Sequence, residues 1–142
     1  MKSVQVFTDG SALGNPGPGG WCAILRYGDK ERVMEGGEVH TTNNRMELLA
    51  AIEALAALKE PCAVTLYSDS SYVVKGINEW LAGWKKKNYA KVKNPDLWQR
   101  YDAVSQNHRV KAVWVRGHNG HEENERCDAI ARAHAEGYKG RA

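Results

Sequence analysis

The chain has 142 residues, 42% hydrophobic and 26% charged, with a formal net charge of +3. This length predicts a single domain, residues 1–142, with a hydrophobic core of its own, and the composition excludes a disordered chain. No apolar run approaches the roughly 18 residues of a membrane span, and MKSVQVFTDG lacks the apolar stretch of a signal peptide, so a cytoplasmic location is expected.

Val4 to Phe7 alternates apolar and polar residues and predicts a first strand that ends on Asp9. Five of the fourteen glycines then fall between Gly10 and Gly20. Three readings of this stretch compete. GNPGPGG lacks the Gly-Lys-Ser/Thr ending of a phosphate loop, and its prolines remove amide donors. Asp9-Gly10 is a common turn pair. The third reading is one corner of a metal site.

Trp21 to Tyr27 predicts a second strand, and Glu31 to Val39 a third, antiparallel to it across the turn signal GDK. Leu48, Ile52 and Leu55 recur at helical spacing among alanines, predicting a helix over 44–59 that Pro61 stops. AVTLYSD is a short strand ending at Asp69. Ser71 to Asn88 reads as helical, with breaks near Gly76 and Gly83. Asp96 to Asn107 predicts a helix, Val110 to Val115 a last strand and Glu122 to Glu136 a final helix. Three early strands followed by strands separated by helices imply an α/β domain with a mixed sheet.

Charge is unevenly spread. Leu81 to Arg100 holds six Lys or Arg residues against Asp96 alone, a net +5, leaving the rest at −2. Lys85, Lys86 and Lys87 are interleaved there with Trp80, Trp84, Tyr89 and Trp98. This is either a nucleic-acid grip or a small aromatic core under a solvated lysine face. Cys22, Cys62 and Cys127 are too scattered for a disulfide framework and read as buried thiols.

Each acidic candidate also has a structural reading. Glu47 follows Asn44 by three residues, as in a capping box, and Asp128 stands four residues before Arg132, as in a helix-surface ion pair. Taken together, Asp9, Glu47, Asp69 and Asp128 would repel one another unless cations neutralised them. Hard oxygen ligands suit Mg²⁺, and two such ions can drive phosphodiester hydrolysis. His118, His121 and Cys127 have poor spacing for zinc and no evident fourth ligand.

TDGSALGNPGPGG, TTNNRMELLAAIEAL, SDSSYVVKGI and VRGHNGHEENERCDAIAR resemble, in order, the matching segments of bacterial ribonuclease H, type 1. WLAGWKKK and KNPDLWQR resemble that family too, and the likeness runs from about Val4 to Arg132. The resemblance implies a ribonuclease H-like fold: a five-stranded mixed sheet, three antiparallel N-terminal strands followed by parallel ones, flanked by helices. It implies hydrolysis of the RNA strand of an RNA–DNA hybrid without strong sequence specificity, leaving 5′-phosphate and 3′-hydroxyl ends. Asp9, Glu47, Asp69 and Asp128 would hold two Mg²⁺ ions with the substrate, with Mn²⁺ as a substitute. His118 would match the family's proton-transfer histidine.

The resemblance places Asn15, Asn43, Asn44 and Ser71 against the substrate, and Thr42 near a DNA-strand phosphate. Ser71 stands where many bacterial relatives carry a longer glutamine. Trp80, Trp84, Lys85, Lys86, Lys87 and Trp98 would form a basic protrusion on the hybrid. A monomer is expected. The rival readings are a transposase or integrase core, a hybrid-binding module without catalysis, and a bare structural domain.

Overall fold

The computed structural model describes residues 1–116 and 122–139. Five strands form one sheet: β1 (Lys2–Ala12), β2 (Gly17–Tyr27), β3 (Lys30–Thr41), β4 (Cys62–Ser68) and β5 (Arg109–Trp114). Their order is β3-β2-β1-β4-β5. The β1–β2 and β2–β3 pairs are antiparallel, and β1–β4 and β4–β5 are parallel. The helices are α1 (Asn43–Ala56), α2 (Ser71–Lys75), α3 (Leu81–Lys86), α4 (Pro95–Ser105) and α5 (Glu122–Gly137), with a π-helical turn, Gly76–Trp80, between α2 and α3. Among the described residues, no helix is long and apolar enough to cross a membrane.

Strand alternation sorts the core between the two faces of the sheet. Val4 and Val6 of β1, Ala23 and Leu25 of β2, and Val64 and Leu66 of β4 pack with Leu48, Ile52 and Leu55 of α1 and with Leu97, Trp98 and Tyr101 of α4. Phe7, Cys22 and Ile24 face the other way, onto Cys127 of α5. Burying an aliphatic side chain of this size contributes roughly 1.5–3 kcal/mol, so the larger cluster dominates stability. All three cysteines are free and buried.

Several sequence expectations are corrected. β1 does not end on Asp9: it continues to Ala12, with Asp9 opposite Cys22 of β2. Asp9-Gly10 is therefore not the turn. The chain reverses beyond Ala12, where Leu13 N–H donates to the Pro18 carbonyl at 2.7 Å. Gly10 is required by close approach, because a Cβ there would fall within the Met46–Glu47 backbone of α1. The N-cap of α1 is Thr42, whose hydroxyl accepts from Arg45 N–H at 3.2 Å. The helix thus starts one residue before Asn44, Glu47 lies beyond the first turn, and no capping box forms.

The expected break at Gly76 is instead a π-helical turn. A side chain at Gly76 would collide with the Trp98 ring, so the glycine lets the helix ride over that indole. Gly83 sits inside α3 with open space around it. Asn78 in the π-helical turn donates to Ala112 O at 2.8 Å and accepts from Ala112 N at 3.2 Å. It thereby covers part of the outer edge of β5, the kind of strand edge that would otherwise offer unpaired main-chain groups to another chain.

Candidate active site

The parallel pairing of β1 with β4 ends at Phe7 opposite Tyr67. Asp9 and Asp69 each follow that pair by two residues, so the same offset sets both at the carboxyl ends of adjacent central strands. This is where open α/β sheets gather ligands. Glu47 arrives from α1 through the close approach at Gly10. The result is a group in which one carboxylate oxygen each from Asp9, Glu47 and Asp69 lies within 4.8 Å of the others.

Asp9 and Glu47 are buried, at 5% and 4% exposure. Gly10 N–H donates to Asp9 Oδ1 at 2.9 Å and to Glu47 Oε1 at 2.5 Å, so one backbone amide holds two acids. Burial pushes the Asp9 carboxyl up to about 7; the charges of Asp69 and Asp128 push the same way, against the hydrogen bonds to Glu47 and Gly10. Glu47 is held well above the usual carboxylate range, first by burial and then by Asp9 and Asp69. Without a cation, this cluster cannot carry all its charges at neutral pH. A closely set group of hard oxygen donors fits a divalent cation.

Asp128 stands apart from this group of three. Its carboxylate pairs with Arg132 at 2.8 Å, four residues on along α5, the ion pair its sequence spacing suggests. It is nevertheless near enough to raise Asp9. His118, like His121, lies outside the described residues.

The polar candidates Asn15, Thr42, Asn43 and Asn44 gather around the N-terminus of α1. Asn15 Oδ1 accepts from Asn43 N–H at 2.9 Å, tying the glycine-rich loop to the helix. Thr42 caps the helix, Asn44 is exposed, and Ser71 is exposed at the start of α2.

In the basic segment, Trp80 and Trp84 lie 5.8 Å apart between ring centroids, and Trp84 meets Trp98 edge-on at 5.0 Å. Trp80 is 41% exposed, but Trp98 is wholly buried. Placing Trp98 against substrate is therefore corrected: it supports the protrusion from below, with Nε1–H donating to Tyr72 Oη at 2.8 Å. Lys85 is tied to Asp102 at 3.0 Å, and Lys86 and Lys87 are exposed. Beyond them the chain adopts left-handed backbone at Asn88, Tyr89, Lys91 and Asn94. Arg45, two residues before Glu47, reaches this loop, donating to Asn94 at 3.1 Å and to both carboxylate oxygens of Asp96.

Three residues beside the acids escaped the sequence reading. Gly10 supplies the shared amide. Asn124 on α5 donates to Tyr67 O at 3.2 Å and Thr8 O at 3.5 Å, spanning the point where β1 and β4 part. Trp114 donates from its indole N–H to Asp69 O at 3.1 Å. The only sequence signal for Gly10 is a glycine next to an acid; Asn124 and Trp114 carry none, because their partners are main-chain atoms distant in sequence.

A mixed α/β sheet that converges buried acids at its central strand ends defines an acidic site able to hold a divalent metal ion, of the kind nucleases use. The family model for RNase H matches residues 1–136. The chain is 61% identical over 136 residues to the ribonuclease HI of Helicobacter pylori (strain ATCC 700392 / 26695), covering 96% of this chain and 95% of that protein. It is 57% identical over 146 residues to the ribonuclease H of Agrobacterium fabrum, covering 99% of this chain and all of that one. Among solved structures, LC9-RNase H1, a type 1 RNase H with the type 2 active-site motif, superposes with a TM-score of 0.88 at 32% identity, covering 98% of this chain and 74% of that one. The chain belongs to the ribonuclease H family.

Proposed function

We propose that this chain is a divalent-metal-dependent endoribonuclease that hydrolyses the RNA strand of RNA–DNA hybrids, acting as a single-domain, cytoplasmic monomer. The convergence of Asp9, Glu47 and Asp69 within 4.8 Å carries this reading. It is supported by relatives that bear the ribonuclease H name at about 60% identity over nearly their whole length. LC11-RNase H1, which shares this fold, has been solved in complex with an RNA/DNA hybrid. Three free, buried thiols suit a reducing compartment.

Asp9, Glu47 and Asp69 would hold the cation, with Asp128 completing the set from α5. Two Mg²⁺ ions, or Mn²⁺ in their place, supply charge neutralisation and Lewis acidity at the scissile phosphate when bound with substrate. Asp9, which meets Glu47 and feels the charges of both Asp69 and Asp128, would be the carboxylate that serves both ions. Gly10 N–H fixes Asp9 and Glu47 so that neither must reorganise as charge develops. In the reaction, a water oxygen bonds to phosphorus and the bond from phosphorus to the 3′ oxygen breaks. The water proton leaves and the 3′ oxygen takes one up, leaving 5′-phosphate and 3′-hydroxyl ends. His118 serves this proton traffic.

Asn15, Asn43, Asn44 and Ser71 offer polar groups for the ribose 2′-hydroxyl that tells RNA from DNA. Thr42 meets a DNA-strand phosphate. Trp80, Trp84, Lys85, Lys86 and Lys87 grip the backbone without reading sequence.

The test is to incubate end-labelled hybrid, duplex RNA, duplex DNA and single strands with Mg²⁺, with Mn²⁺ or with chelator. Cleavage confined to the RNA of the hybrid, and abolished by chelator or by Asp9→Asn, is the expected result. Binding of hybrid without cleavage under any metal overturns the catalytic reading.

A further inference from the structure

Trp114 closes β5 with 52% of its surface exposed, more than Trp80. Its indole N–H is held by the Asp69 carbonyl at 3.1 Å. One edge of the ring is thus anchored to an acidic-cluster residue while much of its surface stays open. With Ser71, Val74, Lys75 and Glu79, it lines a groove of about 380 Å³. That is within the size class of pockets that hold small ligands, roughly 300–1,000 Å³. Ser71, Val74 and Lys75 stand three and four residues apart on α2 and so present one face, and Glu79 extends it along the π-helical turn. The groove therefore begins beside Asp69 and leads outward.

We propose that this groove is a subsite for one unpaired nucleotide of a single-stranded tail that continues from the hybrid beside the cleavage site. The inference rests on the hybrid-cleaving function proposed above. A base within a duplex is stacked on both faces and offers a protein only its edges; an aromatic surface left open suits a base that has left the stack. Base–aromatic stacking tolerates any base. Lys75 supplies a cation for the backbone phosphate. Glu79 repels a second phosphate and accepts from base N–H groups. The bond from Trp114 to the Asp69 main chain sets the groove next to one member of the acidic cluster, so a tail seated there would leave the adjoining duplex near the carboxylates.

Three kinds of hybrid of one duplex length test this, five substrates in all, because each of the two tails is attached in turn to either end of the RNA strand. One is blunt, one carries a two-nucleotide tail, and one carries a tail of the same charge made of abasic sugars. The wild-type protein is expected to show a KM about fivefold lower for the base-bearing tail than for the abasic tail, the lower end of what base–aromatic stacking contributes. In Trp114→Ala that ratio should fall to one, whatever happens to the rate on blunt hybrid. Lys75→Glu, an exposed change that leaves the fold intact, should raise KM for both tailed hybrids relative to blunt. Equal KM values for base-bearing and abasic tails in the wild type overturn the proposal, as does a preference that persists in Trp114→Ala. Failure of the wild type to cut even blunt hybrid would instead overturn the hybrid-cleaving function itself.

Discussion

Replacing Asp9 with Asn should make the metal-free protein more stable while removing its ability to work. Asp9 is 5% exposed, and its carboxyl rises from 3.8 to about 7 in the folded protein. A raised pKa means that the fold binds the proton more tightly than the unfolded chain does. The associated stability is present in full below about pH 4 and is lost as pH rises through about 7. A shift of about three units corresponds to roughly 4 kcal/mol. Glu47 shares the burden and shifts the same way, so neutralising Asp9 alone should recover about 2–4 kcal/mol at pH 8. Asn keeps an oxygen that can accept from Gly10 N–H. For a chain of this size the gain corresponds to a rise in Tm of roughly 6–12 °C. The assay is thermal unfolding by circular dichroism in chelator at about pH 5 and about pH 8, read as the difference between variant and wild type so that titrations remote from the cluster cancel. The difference should be present but smaller at the lower pH, where the unfolded chain has already released its proton, and should grow by roughly 2 kcal/mol towards the higher. Mg²⁺ should then raise the wild-type Tm and move the variant less, because ligand binding stabilises by mass action. A variant that melts with the wild type at about pH 8 in chelator would refute the account of a charge-strained cluster.

Three other outcomes can be checked. Gly10→Ala forces a methyl group into the backbone of α1 at Met46 and Glu47; it should cost about 3 kcal/mol or more in denaturant unfolding and abolish cleavage, and a near-neutral cost would show that the approach can relax. Replacing Lys85, Lys86 and Lys87 together with Ala should weaken hybrid binding and lower the salt-dependence slope by about two to three. The lower value is expected because Lys85 is already paired with Asp102; an unchanged slope would make these lysines mere solubilising charge. His118→Ala should slow turnover without ending it, measured as kcat on hybrid against Asp9→Asn; equal loss in both would make His118 indispensable rather than auxiliary.

The strand and helix order was legible in sequence because alternation and helical spacing survive folding. Leu48, Ile52 and Leu55 fall on the buried face of α1 as their spacing requires. Boundaries were less legible. Thr42 rather than Asn44 caps α1, a choice decided by which side chain meets the Arg45 amide. The reversal after β1 moved from Asp9-Gly10 to the segment beyond Ala12, because pairing with β2 extends the strand. Gly76 reads as a helix breaker but serves as clearance for Trp98, a residue 22 positions away whose burial no local pattern announces.

By itself, the sequence determined the acidic residue types, the alternation of strands and helices, the basic tryptophan-rich segment and, through collinear motifs, the family. The tertiary structure alone decided that Asp9 and Asp69 emerge together, because both follow the last β1–β4 pair by two residues. It also decided that Glu47 reaches them through the gap left by Gly10, that Asp128 comes near enough to raise Asp9, and that Trp98 is buried while Trp114 is open. The physical reason is range. Propensity and periodicity act between near neighbours in the chain, whereas burial, desolvation and charge repulsion depend on which distant segments the sheet register sets side by side.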